Sequence, residues 1–397
     1  MIQFFVEVKI ELEYMYEYNV DMSGGNVIIL GSVNADDLTK VADNYPAAST
    51  ALVFAHVVDV IAHKELLARG YSWFTRRQMS HAIIKQYDTV ILIDCGAEYI
   101  RKALDWTHPE QNYLQLLREL LIAPVKPNRT GIPAHSVFNR EVEFSLMRRD
   151  EAILPLLTTK RVPLKAVYVE LLWFLSGAIN TDFLRENGVK IWDGNTSREY
   201  LDSRGLTDYE VGEVGATYGY QWRNFGGSGV DQIKILVDNL RANPFSRRHV
   251  VSAWNPTDLP KMCLEPCHYS FVFVVDMPNE GSNDTRNILN CKVIMRSTDT
   301  FLGLPFNIAS YSILTHMLAK ITDMRPGKVV ITMCDVHLYT NHVQQAREQI
   351  TRSPRDFPKF KFASHVNQYT SLDDFKLGDI EVQGYDPCAV LQAPMAV

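Results

Sequence analysis

Pro163–Ser176 reads PLKAVYVELLWFLS and is apolar on nearly every side of a 3.6-residue period. It opens on proline, which suits the first turn of a helix, so the stretch predicts a buried helix rather than a surface one. Phe306–Asp323 reads as a second long apolar helix. Two buried helices need a sheet to lie against. β-rich runs at His249–Trp254, Tyr269–Val275, Asn290–Arg296 and Lys328–Cys334 supply the strands. Val230–Ala242 and Gln111–Leu121 add amphipathic helices, the latter with an apolar face of Tyr113, Leu114, Leu116, Leu117, Leu120 and Leu121. From about Glu110 onward the chain therefore reads as one α+β domain.

Residues 1–107 differ in character. Short strands at Asn26–Leu30 and Thr89–Asp94 alternate with helix-like stretches at Ser49–Arg69 and Ala97–Trp106, a pattern that predicts a small α/β unit. Gly31 and Gly96 follow the two strands without a GxGxxG or P-loop pattern, so no nucleotide site is assigned there. The division expected is 1–107, an N-terminal α/β extension of unknown role, and 108–397, the larger domain.

The composition narrows the function classes. With 397 residues, 46% apolar and 22% charged, the chain is an ordinary globular protein. Its net charge of −6 argues against general nucleic-acid binding but leaves room for a small anion held by a local group of arginines. The apolar runs are too short for a membrane helix, and the N-terminus lacks the features of a signal peptide; a cytoplasmic location (host cytoplasm if viral) is expected. The six cysteines form no CxxC pair and no Cys/His ladder, so neither a disulfide framework nor a metal site is expected.

Four features could carry chemistry. In Leu264-Glu265-Pro266-Cys267-His268, Cys267 reads first as a small core residue at a strand entrance. A nucleophilic role requires cationic neighbours, for which Arg247-Arg248 and Arg296-Ser297 are candidates. Glu170 lies inside the apolar helix, either ion-paired or serving as an acid/base with a raised pKa. Arg129-Thr130-Gly131, Arg247-Arg248 and Arg296-Ser297-Thr298-Asp299 could together form a phosphate pocket. Asn307 could be an N-cap or could read the O4/N3–H edge of a uracil, and Asp335, His337 and Tyr339 alternate onto one side of an extended segment.

In order along the chain stand NRTGIPAHSVF (128–138), LPLLTTKR (154–161), ELLWFLSG (170–177), IWDGNTSREYLD (191–202), GATYGYQWRNFG (215–226) and SRRHVVSAWNPTDLP (246–260). They are followed by EPCHYSF (265–271), MRSTDTFLGLPFNIASY (295–311), DVHLYTNH (335–342), GYDP (384–387) and APMAV (393–397). This ordered set resembles the thymidylate synthase family from about Tyr113 to Val397. The resemblance implies an α+β fold with a mixed sheet packed with helices, and folate-dependent one-carbon transfer to C5 of dUMP. It implies Cys267 as the nucleophile on C6, beside His268, and Arg129, Arg296 and Ser297 on the 5′-phosphate. Arg247 and Arg248 would be donated across a homodimer. Asn307 would read the uracil, where relatives preferring cytosine carry Asp, and His337 and Tyr339 would bind the ribose hydroxyl. Glu170 would act through ordered water in proton transfers, and Tyr218 would assist removal of the C5 proton. Trp192, Asn195, Asp299, Gly303 and Val397 would contact 5,10-methylenetetrahydrofolate, with Asp299 also counted among the catalytic set.

Four positions depart from the family pattern: Asn139 for glycine, Met295 for glutamine, Glu265 for proline and Cys388 for histidine. The methylene placed on C5 has two fates. Hydride from the folate gives dTMP; water gives 5-hydroxymethyl-dUMP, as in the phage-associated hydroxymethylases. Trp192 and the APMAV tail would shield the methylene and favour hydride, whereas Met295 and the extension suit a specialised enzyme. A non-catalytic nucleotide- or RNA-binding relative would be marked by a broken nucleophile or phosphate set, and both are whole here. The extension is expected to pack against the core or extend the dimer contact.

Overall fold

The computed structural model describes residues 108–395 except 149 and 279–283, and, in the first 107 residues, five strands. Contacts divide the chain into two units, Met1–Gln111 and Asn112–Val397. In the first, the strands form an all-parallel sheet in the order Gln3–Val6, Thr89–Ile93, Val27–Gly31, Thr50–Phe54, Ser72–Thr75. The helix expected over Ser49–Arg69 is corrected at its start, where Thr50–Phe54 (TALVF) is a strand paired with Val27–Gly31. A short apolar run has no periodicity to separate strand from helix, and here the β-branched and aromatic residues decide. The rest of that stretch, and the helix expected at Ala97–Trp106, lie outside the described residues.

The second unit is built on a six-stranded mixed sheet. Its order is Val250–Ser252, His268–Asp276, Ile288–Asp299, Arg325–Tyr339, Ala134–Ser145, Val125–Lys126. Ile288–Asp299 and Arg325–Tyr339 run parallel, and the helix Gly303–Ile321 makes the crossover that a parallel pair requires. The other pairings are antiparallel. Strand alternation sorts the side chains: Phe271, Phe273, Cys291, Val293, Met295, Ile331 and Met333 are buried, while Val250, Val274 and Lys292 point to the opposite, open face.

Helices Leu164–Ser176 and Gly303–Ile321 belong to the core, as their all-round apolar character predicts. Buried hydroxyls within the second are satisfied by the preceding turn: Ser312 donates to the Ile308 carbonyl at 2.6 Å and Thr315 to that of Tyr311 at 2.7 Å. The first ends at Gly177, whose φ of +73° is left-handed. The helix Tyr218–Arg223 packs on it at backbone distance. A Cβ at Gly219 would lie 2.4 Å from the Phe174 carbonyl oxygen, so glycine is what lets Tyr218 approach the site.

Ala134–Ser145 is a twelve-residue strand, and it contains Asn139 with φ of +52°. Where the family pattern has glycine, the backbone is left-handed, and asparagine is the non-glycine residue best suited to that region. The substitution therefore preserves the bend. Asn307 lies inside the helix Gly303–Ile321, whose N-cap is Leu302, so it is free of the capping role considered for it.

Candidate active site

Cys267 immediately precedes the strand His268–Asp276. Its backbone N–H donates to the Tyr218 hydroxyl at 2.7 Å, and its carbonyl accepts from the Arg296 N–H at 2.9 Å. The Arg296 guanidinium grips the same loop, Nε on the Pro266 carbonyl at 3.0 Å and Nη2 on that of Glu265 at 2.8 Å. Burial pushes the Cys267 thiol above its usual pKa; Arg296, Tyr218 and Arg129 pull it down, and Glu265 adds to the rise. Arg296 and Arg129 are thus the cationic neighbours a reactive thiolate needs. Arg247 and Arg248 are not: they are exposed, in the turn before Val250–Ser252, away from this chain's own cavity.

His268 is buried, stacked on Tyr218 with ring centroids 4.1 Å apart, and its Nδ1 meets the Tyr311 hydroxyl at 2.7 Å. Burial lowers its pKa to about 3, so it is neutral at physiological pH and fixes the two tyrosines by shape and hydrogen bonding. Burial also holds the Tyr218 hydroxyl well above its usual pKa. Glu170, from the apolar helix, accepts a 2.8 Å hydrogen bond from Trp192 Nε1. Burial raises its pKa to about 7, only partly offset by that bond. The carboxyl is poised to give and take a proton near neutrality.

These groups open onto one cavity of about 930 Å³. Arg129, Glu170, Tyr218, Cys267, His268, Arg296 and Ser297 line it, as do Trp192, Asn195, Asp299, Gly303, Asn307, His337 and Tyr339. Strand register explains much of the convergence, since Ser297 pairs with Asp335, Asp299 with His337, and His337 with Ser136. The site forms where the parallel strands end, the usual place for a ligand in such sheets. Asp299 Oδ1 accepts from the Phe301 and Leu302 N–H groups at 2.9 and 3.0 Å, shaping the turn into the crossover helix.

Thr130, read with Arg129 from the sequence, is also in the wall; Lys126, Asn128, Ser136, Lys190 and Phe306 line it without having been singled out from the sequence. Two of them, with Asp335, form a chain behind His337. Lys126 Nζ donates to Ser136 Oγ at 3.2 Å, Ser136 to Asp335 Oδ2 at 3.3 Å, and Asp335 Oδ1 meets His337 Nδ1 at 3.1 Å. Asp335 thereby orients the imidazole and leaves Nε2 for a ligand. Lys160, within the quoted TTKR, is buried; its ammonium sits 3.7 Å from the Phe301 ring centroid and donates to the Phe301 carbonyl. Burial lowers its pKa to about 7, against the pull of Asp299.

The C-terminal tail also reaches the cavity, through Met395. Side chains from one region hold its carbonyls: His342 Nε2 meets Pro394 O at 2.7 Å, Gln345 donates to Gln392 O at 3.0 Å, and Arg352 to Ala389 O at 2.7 Å. Val397 lies outside the described residues. Cys388, in place of histidine, donates its N–H to the Thr158 carbonyl at 2.7 Å. Met295, in place of glutamine, is buried against Thr298, whose hydroxyl lies 3.7 Å from its sulfur. Among the described residues no helix is long and apolar enough to cross a membrane, and no His/Cys/Asp/Glu cluster could hold a metal ion.

Residues 111–397 match the family model for thymidylate synthase. The chain is 45% identical over 301 residues to the thymidylate synthase of Saccharomyces cerevisiae, covering 72% of this chain and 97% of that protein. It is 43% identical over 302 residues to the Homo sapiens thymidylate synthase, covering 73% and 91%. With the thymidylate synthase of Herpesvirus ateles it shares 44% over 302 residues, covering 73% and 99%. The chain belongs to the thymidylate synthase family. It is a one-carbon transferase of the class that uses methylenetetrahydrofolate as co-substrate.

Proposed function

We propose that this chain converts dUMP to dTMP, with Cys267 adding to C6 of the pyrimidine and hydride completing the reaction. The observation that carries this reading is the convergence of Cys267, Arg129, Arg296, Ser297, Asn307 and His337 on a single cavity. At about 930 Å³ it has room for a nucleotide and a second planar ligand beside it.

Arg129, Arg296 and Ser297 hold the 5′-phosphate, the arginines as rigid forks and the serine as a further donor. Asn307 offers both donor and acceptor to O4 and N3–H of the uracil. His337, oriented by Asp335, and Tyr339 take the ribose hydroxyl. With the base fixed, the Cys267 sulfur attacks C6 and C5 becomes the carbon nucleophile. Methylenetetrahydrofolate supplies the carbon unit and then the hydride. Glu170 moves protons through ordered water, and Tyr218 assists loss of the C5 proton, which expels the folate nitrogen from the new carbon; hydride addition to the resulting methylene then re-forms the ring double bond and releases Cys267. Trp192, Asn195, Asp299, Gly303 and the tail end at Val397 surround the folate.

Arg247 and Arg248 complete the phosphate site of a second copy in a homodimer. Support comes from their exposure and from the open sheet face carrying Val250, Val272, Val274, Ile294 and Val330, an apolar surface suited to burial against its equivalent.

Hydride rather than water is favoured because Trp192 and Met395 are in the cavity wall, where they keep solvent from the exocyclic methylene. Mass analysis of the product, with absorbance at ~340 nm for dihydrofolate, decides between the outcomes. Equimolar dTMP and dihydrofolate are expected; 5-hydroxymethyl-dUMP without dihydrofolate would overturn the assignment.

Asn307→Asp should lower kcat/KM for dUMP by on the order of 10²-fold or more while improving turnover of dCMP, because a carboxylate cannot donate to O4. Steady-state assays with both nucleotides check this. An unchanged preference would remove Asn307 from base reading.

A further inference from the structure

Two residues before the nucleophile, where the family resemblance leads one to expect proline, this chain places a carboxylate. Glu265 is held by Arg204, whose Nη2 donates to Glu265 Oε1, and the two side chains are 26% and 27% exposed. Arg204 is the C-cap of the short helix Arg198–Ser203, so its position is fixed by backbone structure rather than by a floppy loop. Arg296 approaches the same segment from the neighbouring strand but binds its backbone, through the carbonyls of Glu265 and Pro266. Two guanidiniums therefore divide the work at position 265: one takes the side chain, the other the main chain.

The division matters because of what else faces Cys267. Arg296 comes from the Ile288–Asp299 strand, Arg129 from the turn before Ala134–Ser145, Tyr218 from its helix and Tyr339 from the end of Arg325–Tyr339. His268 adjoins it as a neutral ring, and Glu170, Asp299 and Asp335 are further carboxylates of the cavity wall. A glutamate free to swing within this loop would turn to Arg296, the other cation whose charge already reaches it and one that phosphate and thiolate both need.

We propose that Arg204 is a positioning residue for the nucleophile, holding the Glu265 carboxylate so that its charge is turned from Arg296 and Cys267. The inference rests on the reading of Cys267 and Arg296 given above and deepens it. Even while held by Arg204, the carboxylate still acts on both groups, which is the coupling Arg204 restrains. Burial pushes the Glu265 carboxyl up, but its own backbone N–H, Arg204 and Arg296 bring it below its usual value. Glu265 in turn is among the groups raising the Cys267 thiol.

The test is the pH dependence of Cys267 alkylation by iodoacetamide in the full chain, read by mass spectrometry of the Cys267 peptide, with KM for dUMP alongside. Arg204→Leu should raise the alkylation midpoint by about half a pH unit or more and raise KM several-fold. Arg204→Lys should restore most of both. Glu265→Gln should lower the midpoint, and in that background Arg204→Leu should no longer move it. An unaltered midpoint in Arg204→Leu, or an equal shift with and without Glu265, would reduce the pair to scaffolding. Should Arg204→Leu fail to fold, Glu265→Gln alone decides, an unmoved midpoint overturning the proposal. Alkylation needs no turnover, so this result stands apart from whether Cys267 is the catalytic nucleophile.

Discussion

Cys267→Ala should abolish dTMP formation, with a loss on the order of 10⁴-fold or more, while dUMP should still bind within a few-fold of the parent affinity. The asymmetry follows from the site's construction. The proposed phosphate, base and ribose contacts come from Arg129, Arg296, Ser297, Asn307, His337 and Tyr339, none of which depends on the sulfur for its position. Arg296 is anchored by the carbonyls of Glu265 and Pro266, and Tyr218 by the Cys267 backbone N–H; alanine retains all of these main-chain groups. What alanine lacks is the electron pair proposed to add to C6, and on that reading C5 never becomes nucleophilic without it. Release of tritium from C5-labelled dUMP reads that activation directly, and calorimetry reads binding. Measurable tritium release from the alanine protein would sink covalent activation at this residue, and lost binding would show that the sulfur also organises the pocket.

The second large effect is expected at Glu170. Glu170→Gln keeps the size of the side chain and can still accept from Trp192, so the helix Leu164–Ser176 retains its packing. The variant has no exchangeable proton of suitable pKa, and kcat should fall by about 10²–10⁴-fold. The sign of the pH effect is set by the raised pKa. Below about 7 the wild-type group is a carboxylic acid and can donate as the thiol adds to the ring; above it the acid is progressively lost. Wild-type kcat/KM should therefore carry a falling limb near 7 that is missing from the glutamine protein. A profile retaining that limb would assign it to another group.

Much of this site can be read in the residues themselves. A charged side chain in an all-apolar helix announces itself, and Glu170 does reach the cavity. Alternation in DVHLY places Asp335, His337 and Tyr339 on one side of a strand, and all three face the pocket. Cys267 and Arg296 could not be joined by spacing alone: strand pairing brings them together, and register is a tertiary property. The same limit hid Lys126, which acts from a two-residue edge strand with too little pattern to detect. Ala134–Ser145 was illegible as a strand because Asn139, Arg140 and Glu141 interrupt its alternation at the left-handed bend. In the N-terminal segment, Thr50–Phe54 shows the complementary failure, a run too short to carry a period.

The hydrogen bond from Trp192 to Glu170 also makes the protein report on itself. Indole emission responds to the charge of a group bound at its N–H. Trp192 donates to a carboxyl whose ionisation falls near neutrality. Proton movement at the reaction centre is therefore wired to an intrinsic fluorophore, and stopped-flow fluorescence could time it during turnover without a dye, label or modified substrate.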